Sequence, residues 1–97
     1  MNFYFYVLYS LKDNKLYKGY SADIGKRLIK HNAGGTTSTK HRRPLILIYT
    51  EGFATKKEAI MRENWAKSKE GGPKIVKLLI DLNILNQFHK LYSISRP

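Results

Sequence analysis

The chain has 97 residues and contains no cysteine, which excludes disulfide bonds and thiolate metal sites as sources of stability. This length supports one hydrophobic core, and a content of 42% hydrophobic and 26% charged residues excludes a disordered chain. Eighteen lysines and arginines against seven acidic residues give a net charge of +11, which favours a polyanionic partner. Nucleic acid is the leading candidate, because no clear basic amphipathic helix favours a membrane surface.

The sequence also gives a first expectation about location. Its N-terminus has no basic start followed by an apolar run, and no apolar stretch reaches the roughly 18 residues that span a bilayer. We therefore expect a soluble, cytoplasmic protein without a membrane partner.

The first predicted elements are two strands that form a hairpin. Residues 3–10, "FYFYVLYS", alternate between two faces, with Tyr6 and Leu8 on the same one. The polar stretch "KDNK" predicts a turn, after which residues 16–20 resume a strand. Gly19, late in the second strand, indicates a bulge or a close backbone approach.

A helix, a loop and a third strand are predicted next. The helix is "SADIGKRLIKHN", with Ser21 as its N-cap and with Ile24 and Leu28 facing the core. Residues 34–44 form a polar loop with a basic end, and residues 45–50, "LILIYT", are apolar enough for a central strand.

Two further helices complete the predicted fold. Thr55 and Glu58 match a capping box before "KKEAIMRENWAKSK", and Pro73 can open a third helix through "KIVKLLIDLN". The order ββαβαα predicts an α+β fold in which helices flank a small three-stranded antiparallel sheet. We expect a single domain over residues 3–82 and a C-terminal tail over residues 83–97.

Candidate catalytic side chains come from three of these elements. Tyr6 and Tyr17 lie on the two strands of the hairpin, which can bring both hydroxyls to one end of the sheet. Arg27 and His31 are four residues apart on the first helix and share a face, where a guanidinium can bind phosphate oxygens. Glu63 falls within the apolar stripe of the second helix, and one Mg²⁺ with water ligands would explain a carboxylate there.

Each of these residues also has an ordinary structural explanation. Strand tyrosines usually pack in the core, and His31 would be stabilised by the dipole at the helix C-terminus. Arg27 alone could be a solvated helix residue, and Glu63 could pair with a nearby lysine or arginine. Their joint spacing is what favours a common site.

Four fragments together resemble the GIY-YIG nuclease superfamily, and in particular its small stand-alone UPF0213 group. They are "YFYVLYS", "LYKGYSADIGKRLIKHNAGG", "TKHRRPLILIYTE" and "KKEAIMRENWAKS", and they span roughly residues 3–79. The resemblance implies a ββαβα core. It also implies a set of active-site positions, with the histidine present in some branches: Tyr6, Tyr17, Arg27, His31 and Glu63.

The activity implied by the resemblance is metal-dependent hydrolysis of phosphodiester bonds in DNA, with structure-selective cleavage in repair or recombination as a candidate role. Glu63 would hold Mg²⁺ or Mn²⁺, and Arg27 would stabilise charge on the phosphoryl oxygens. Tyr6 would orient or deprotonate the attacking water, which requires its surroundings to lower a pKa of about 10.

Further basic residues are expected to contact the nucleic-acid backbone. They are Lys18, Lys26, Lys40, His41, Arg42 and Arg43. The alternative function is a non-catalytic DNA- or RNA-binding module of the same fold. A protein partner that supplies targeting is a further expectation, because the predicted domain has no attached targeting domain.

Overall fold

The computed structural model describes residues 2–85, so the predicted tail lies outside the described residues from residue 86 onward. The elements follow one another in the order β1-β2-α1-β3-α2-α3. Their bounds are β1 Phe3–Ser10, β2 Leu16–Ser21, α1 Ile24–Asn32, β3 Leu45–Phe53, α2 Lys56–Lys67 and α3 Gly71–Asp81. The predicted α+β class and ββαβαα order are confirmed. Among these helices none has the length and apolar character to cross a membrane.

The sheet is antiparallel and has the strand order β2-β1-β3. The prediction that residues 45–50 form the central strand is wrong, because β1 is central and β3 lies at an edge. The apolar character of β3 has another cause. Leu45 packs on the α1 side of the sheet and Ile48 packs on the opposite side, so both faces of this edge strand are covered.

The helices cover the two faces of the sheet separately. Phe5 and Val7 of β1 pack under α2 and α3, where Ile75 and Leu79 are also fully buried or nearly so. The alternate residues of β1, including Tyr6, face α1. The period-two pattern of the sequence therefore places alternate side chains of one strand in two different layers.

The start of α1 differs from the sequence prediction. Asp23 is the N-cap, and its side chain accepts a hydrogen bond from the Lys26 backbone N–H at 3.0 Å. Ser21 was the predicted cap, but it pairs with β1 as the last residue of β2. Its hydroxyl instead accepts a bond from the Asp23 N–H at 3.0 Å, so two polar residues share the turn that starts the helix.

The predicted capping box of α2 is confirmed. The Thr55 hydroxyl accepts from the Glu58 N–H, and the Glu58 carboxylate accepts from the Thr55 N–H, each at 3.2 Å. Helix α3 begins at Gly71, two residues before the predicted Pro73. Proline is tolerated there because the first turn of a helix does not use its N–H groups for intrahelical bonds.

Candidate active site

A pocket of about 350 Å³ lies beside the edge strand β2. Side chains from β1, β2, α1 and α2 line it together, although their residues are far apart in the sequence. Its lining includes four of the five predicted catalytic residues: Tyr6, Tyr17, Arg27 and Glu63. The remaining one, His31, lies behind the pocket in contact with Tyr6.

The phenol of Tyr6 occupies the space over Gly19 of the neighbouring strand. The two residues are directly opposite each other in the β1–β2 pairing. A Cβ atom on Gly19 would lie 2.5 Å from the Tyr6 hydroxyl oxygen, closer than real Cβ atoms come. The sequence predicted a bulge or a close backbone approach at Gly19, whereas the group that approaches it is the Tyr6 side chain. The missing side chain of Gly19 makes room for a candidate catalytic group.

A chain of hydrogen bonds runs from the pocket into the core. The Tyr6 hydroxyl lies 3.0 Å from His31 Nε2, and His31 Nδ1 lies 2.7 Å from the Thr39 hydroxyl oxygen. His31 and Thr39 are both fully buried. Thr39 belongs to the loop before β3 and was not singled out from the sequence, because a threonine in a polar loop carries no periodic signal of burial.

The imidazole of His31 is held in its neutral form. Burial lowers its pKa, and the positive charges of Arg27 and Lys30 lower it further. A neutral imidazole donates from one ring nitrogen and accepts at the other. The Thr39 hydroxyl lies 3.5 Å from the Thr36 carbonyl oxygen, to which it can donate. We therefore assign the proton to Nδ1, so that Nε2 accepts from Tyr6.

The guanidinium of Arg27 lies close to the hydroxyls of the pocket tyrosines. Its interaction with the Tyr6 hydroxyl is the main reason why the pKa of Arg27 is raised, and Tyr17 adds to the effect. Burial raises the pKa of Tyr6 and outweighs the opposing effect of Arg27. The lowered Tyr6 pKa that a base would need is thus not found, and this phenol is neutral at pH 7.

Three aromatic rings form the wall behind the guanidinium. The Tyr17 and His31 ring centroids are 5.0 Å apart at 63°, and those of Tyr6 and Tyr17 are 6.5 Å apart at 37°. Such edge-on and tilted contacts are favourable arrangements for aromatic rings. The wall fixes both phenols relative to each other, which a site for one small anion requires.

Glu63 brings a carboxylate to the same pocket from α2. Its side chain is only 15% exposed, and its Oε2 lies 3.4 Å from Lys67 Nζ, one helical turn away. Lys67 also lies 5.8 Å from the centroid of the Tyr17 ring. The pairing with a nearby lysine, one of the two explanations considered from the sequence, is therefore present.

The donor set of the pocket suits one kind of metal ion. No group of three or more histidine, cysteine, aspartate or glutamate residues is found within residues 2–85, so this region holds no all-protein metal cage. Mg²⁺ is commonly bound through one or two carboxylates, with water and substrate phosphate as further ligands. Glu63 fits that pattern, and it fits Mn²⁺ by the same oxygen-ligand chemistry.

The predicted backbone-contacting residues fall into two groups. Lys18 donates to the Ala66 carbonyl at 2.8 Å, and Arg42 donates to Asp13 at 2.9 Å, so both cations already have protein partners. Burial and the charge of Lys67 lower the pKa of Lys18. The other group is exposed, and its contact with nucleic acid stays a prediction: Lys26, Lys40, His41 and Arg43.

Comparison with known proteins identifies the family. The model of the GIY-YIG catalytic domain matches residues 2–74. The chain belongs to the GIY-YIG family. A UPF0213 protein of Bacillus pumilus is 47% identical over 74 residues, which cover 71% of this chain and 74% of that protein. The UPF0213 protein YazA of Bacillus subtilis is 48% identical over 67 residues, or 68% and 67% of the two chains.

A solved structure is also similar to this chain. It is the solution NMR structure of a UPF0213 protein from Bacillus halodurans, with 37% identity, a TM-score of 0.49 and coverage of 80% of this chain and 85% of that one. The sequence matches confirm the resemblance to the GIY-YIG superfamily and its UPF0213 group. GIY-YIG proteins form a nuclease superfamily that acts on nucleic acid, whereas the names of these relatives state no activity.

Proposed function

We propose that this protein is a metal-dependent endonuclease that hydrolyses phosphodiester bonds in DNA. The observation that carries the proposal is the convergence of four side chains on one pocket from four separate elements: Tyr6, Tyr17, Arg27 and Glu63. Two phenols, a guanidinium and a carboxylate in one cavity suit a phosphate group and a divalent cation.

Arg27 is the residue that would bind the scissile phosphate. Its Nε is buried and has no hydrogen-bond partner among the described residues, so part of its donor capacity is unused. A guanidinium is always charged and matches the oxygen geometry of a phosphate. Arg27 would thus stabilise negative charge that develops on the phosphoryl oxygens during displacement.

Glu63 is the residue that would hold Mg²⁺ or Mn²⁺. When bound, the ion would polarise the phosphate and stabilise the leaving 3′ oxygen. The Glu63 carboxylate would first have to give up its ion pair with Lys67 in order to bind the metal ion. The Lys67 side chain is 48% exposed and can move into solvent. The ammonium of Lys67 then remains near the pocket and adds to its positive field.

Tyr6 and His31 supply a route for the proton of the attacking water. A neutral Tyr6 can accept a hydrogen bond from water while it donates its own proton to His31 Nε2. The proton lost by water would pass to the Tyr6 oxygen, and the Tyr6 proton would pass to His31. The negative charge of a bound phosphate offsets the nearby cations that lower the His31 pKa, and so favours this transfer.

A nicking assay with a matched variant tests the proposal. Glu63→Gln is expected to lower cleavage of DNA at least about a hundredfold with binding retained, because it removes a charged metal ligand. Glu70→Gln is the control, since Glu70 also pairs with a lysine one turn away, at 3.1 Å, but is exposed. Equal cleavage by Glu63→Gln and wild type would contradict the assignment.

The same assay compares branched, duplex and single-stranded DNA in Mg²⁺ and in Mn²⁺. A structure-selective role in repair or recombination predicts that branched DNA is cut fastest. Failure to cut any tested DNA or RNA, with salt-sensitive binding retained, would favour the non-catalytic binding module. The Glu63–Lys67 pair is the observation that favours this second candidate, because it explains the buried carboxylate without a metal.

A further inference from the structure

A second basic pocket, separate from the candidate active site, lies at the C-terminal end of α1. It measures about 510 Å³, and we call it the loop pocket. Its lining residues are Lys12, Asn32, Lys40, His41, Arg43 and Pro44. None of these described lining residues is acidic, and three of them are always-cationic side chains at neutral pH. A concave surface with this charge favours an anion.

The two adjacent arginines of the loop have different surroundings. Arg42 is tied to the hairpin by its bonds to the Asp13 carboxylate at 2.9 Å and to the Leu16 carbonyl at 3.0 Å. Arg43 donates instead to the carbonyls of Lys40 at 2.8 Å and Asn32 at 3.4 Å. These bonds fix the Arg43 guanidinium through part of its N–H groups and leave the rest for a ligand.

The wall of the loop pocket is held rigidly. The Asn32 side chain donates to the Leu45 carbonyl at 2.9 Å and accepts from the Leu45 N–H at 2.8 Å. The last residue of α1 and the first residue of β3 are therefore clamped together. A preorganised wall lowers the entropy that is lost when a ligand binds.

The helix end beside this pocket does not repel an anion strongly. Carbonyl groups at a helix C-terminus carry partial negative charge when they lack partners. Here the carbonyls of residues 29–32 all accept hydrogen bonds, three from backbone N–H groups of the following turn and one from Arg43. The cations of the loop pocket therefore face little opposing charge.

The loop pocket and the candidate active site border the same helix. Arg27 lies at one and Asn32 at the other, five residues apart. This is about 7.5 Å along the helix axis and about 140° around it, so about 7.5 Å is the minimum separation of the two pockets. Phosphates of one strand repeat about every 3.4 Å along a duplex axis. We propose that the loop pocket binds a backbone phosphate about two to four nucleotides from the phosphate in the candidate active site.

This inference rests on the proposed function for its choice of nucleic acid as the ligand, but its test does not need cleavage. The probe is a fluorescein-labelled oligonucleotide, and its anisotropy is measured in EDTA over a series of salt concentrations. Lys12 and Lys40 are the residues to change, because neither side chain makes a hydrogen bond or ion pair within residues 2–85. The double variant should therefore fold, as circular dichroism can verify.

Lys12→Ala/Lys40→Ala is expected to weaken binding about tenfold near 0.1 M salt. The salt slope should fall by about 1.8 for a duplex or about 1.4 for a single strand, since two phosphate contacts are lost. Lys69→Ala/Lys77→Ala is the control with the same change of charge. Both control lysines are exposed, and Lys77 lies on α3, on the other side of the sheet from α1. Equal losses in the two double variants would overturn the proposal.

A length series gives the sharper result. For oligonucleotides of about two to eight nucleotides, wild-type affinity should step up at about four to six, when the strand reaches both pockets. The Lys12→Ala/Lys40→Ala variant should lose this step and the control should keep it. The proposal would be overturned if the Lys12→Ala/Lys40→Ala variant kept this step in affinity. It would also be overturned if that variant bound DNA normally but no longer bound vesicles containing phosphatidylserine. Absence of cleavage would contradict the proposed function and leave these binding results unchanged.

Discussion

The two faces of the sheet come from alternate residues of the same strands but differ in chemistry. On the α2–α3 face, Phe5 and Val7 meet apolar side chains and carry no hydrogen-bonding group of their own. On the α1 face, the next residue, Tyr6, continues into a buried chain through His31 to Thr39. One layer therefore holds the fold together by apolar packing, whereas the other buries a chain of polar groups that satisfy one another and leaves Arg27 Nε without a partner among the described residues.

This difference predicts opposite outcomes for mutations in the two layers. Changes on the apolar face should lower the free energy of unfolding and leave the chemistry of the folded molecules intact. Changes in the polar chain should act mainly on the proposed activity, because they preserve shape but interrupt the proposed proton route.

Removal of the Tyr6 hydroxyl should give the largest loss. Tyr6→Phe is expected to lower the cleavage rate by about 10²- to 10⁴-fold, as loss of a general acid–base group does. The stability cost should be about 1 kcal/mol, that of one buried hydrogen bond. Tyr9→Phe is the control, because that hydroxyl also donates to a protein oxygen, in Asn14, at 2.8 Å. A cleavage rate of Tyr6→Phe within threefold of the control would remove Tyr6 from the mechanism.

On the apolar face, Leu79→Ala should lower stability by about 2–5 kcal/mol, because it leaves a cavity among fully buried residues. Ile80→Ala, at a neighbouring position that is 41% exposed, should cost no more than about 0.5 kcal/mol. Urea unfolding measures both. Activity per folded molecule should be unchanged in each variant, and a loss of activity in folded Leu79→Ala would show that the two layers are coupled.

Acid should destabilise the polar layer. The pKa of His31 is lowered in the folded protein, so its neutral form contributes stability above the unfolded value of about 6.5. That stability is lost as the pH falls from about 6.5 through the folded pKa. Urea unfolding between pH 7.5 and pH 5 should therefore give a steeper decline for wild type than for His31→Gln. The exposed His41→Gln variant serves as the control and should follow wild type.

The smallest predicted effect concerns the ion pair between Lys67 and Glu63 at the candidate active site. Lys67→Gln removes the partner of Glu63 and should raise the affinity for Mn²⁺ about two- to threefold, the equivalent of one helical ion pair. Isothermal titration calorimetry without DNA measures this change directly. Lys74→Gln breaks the analogous pair with Glu70 and should leave Mn²⁺ binding as it is. Weaker Mn²⁺ binding by Lys67→Gln would mean that Lys67 supports the site.

The parts of the site that could be predicted depend on short-range spacing. Tyr6 and Tyr17 are brought together by one hairpin, and Arg27 and His31 by one helical turn, so periodicity sufficed to place each pair. Glu63 was suspected because a carboxylate interrupted an apolar stripe. Its partner Lys67 follows the same four-residue rule and could have been named in advance.

The parts that could not be predicted depend on contacts between distant segments. Thr39 is one of several similar polar residues in its loop, and only the tertiary contact with His31 explains its burial. Arg42 and Arg43 are identical neighbours in the sequence. Their separate roles follow from Asp13, which lies 29 positions before Arg42 and engages only that arginine. Composition and periodicity contain no information about such choices.

The clamp between Asn32 and Leu45 has a consequence for the whole sheet. One amide side chain satisfies both backbone groups of the residue with which β3 begins, much as a neighbouring strand would. Leu45 is also the residue that pairs with Ser10 at the end of β1. A slip of one position in the pairing would exchange the inward and outward sides of β3. Because Asn32 binds the backbone of Leu45, this helix residue fixes the register of the edge strand.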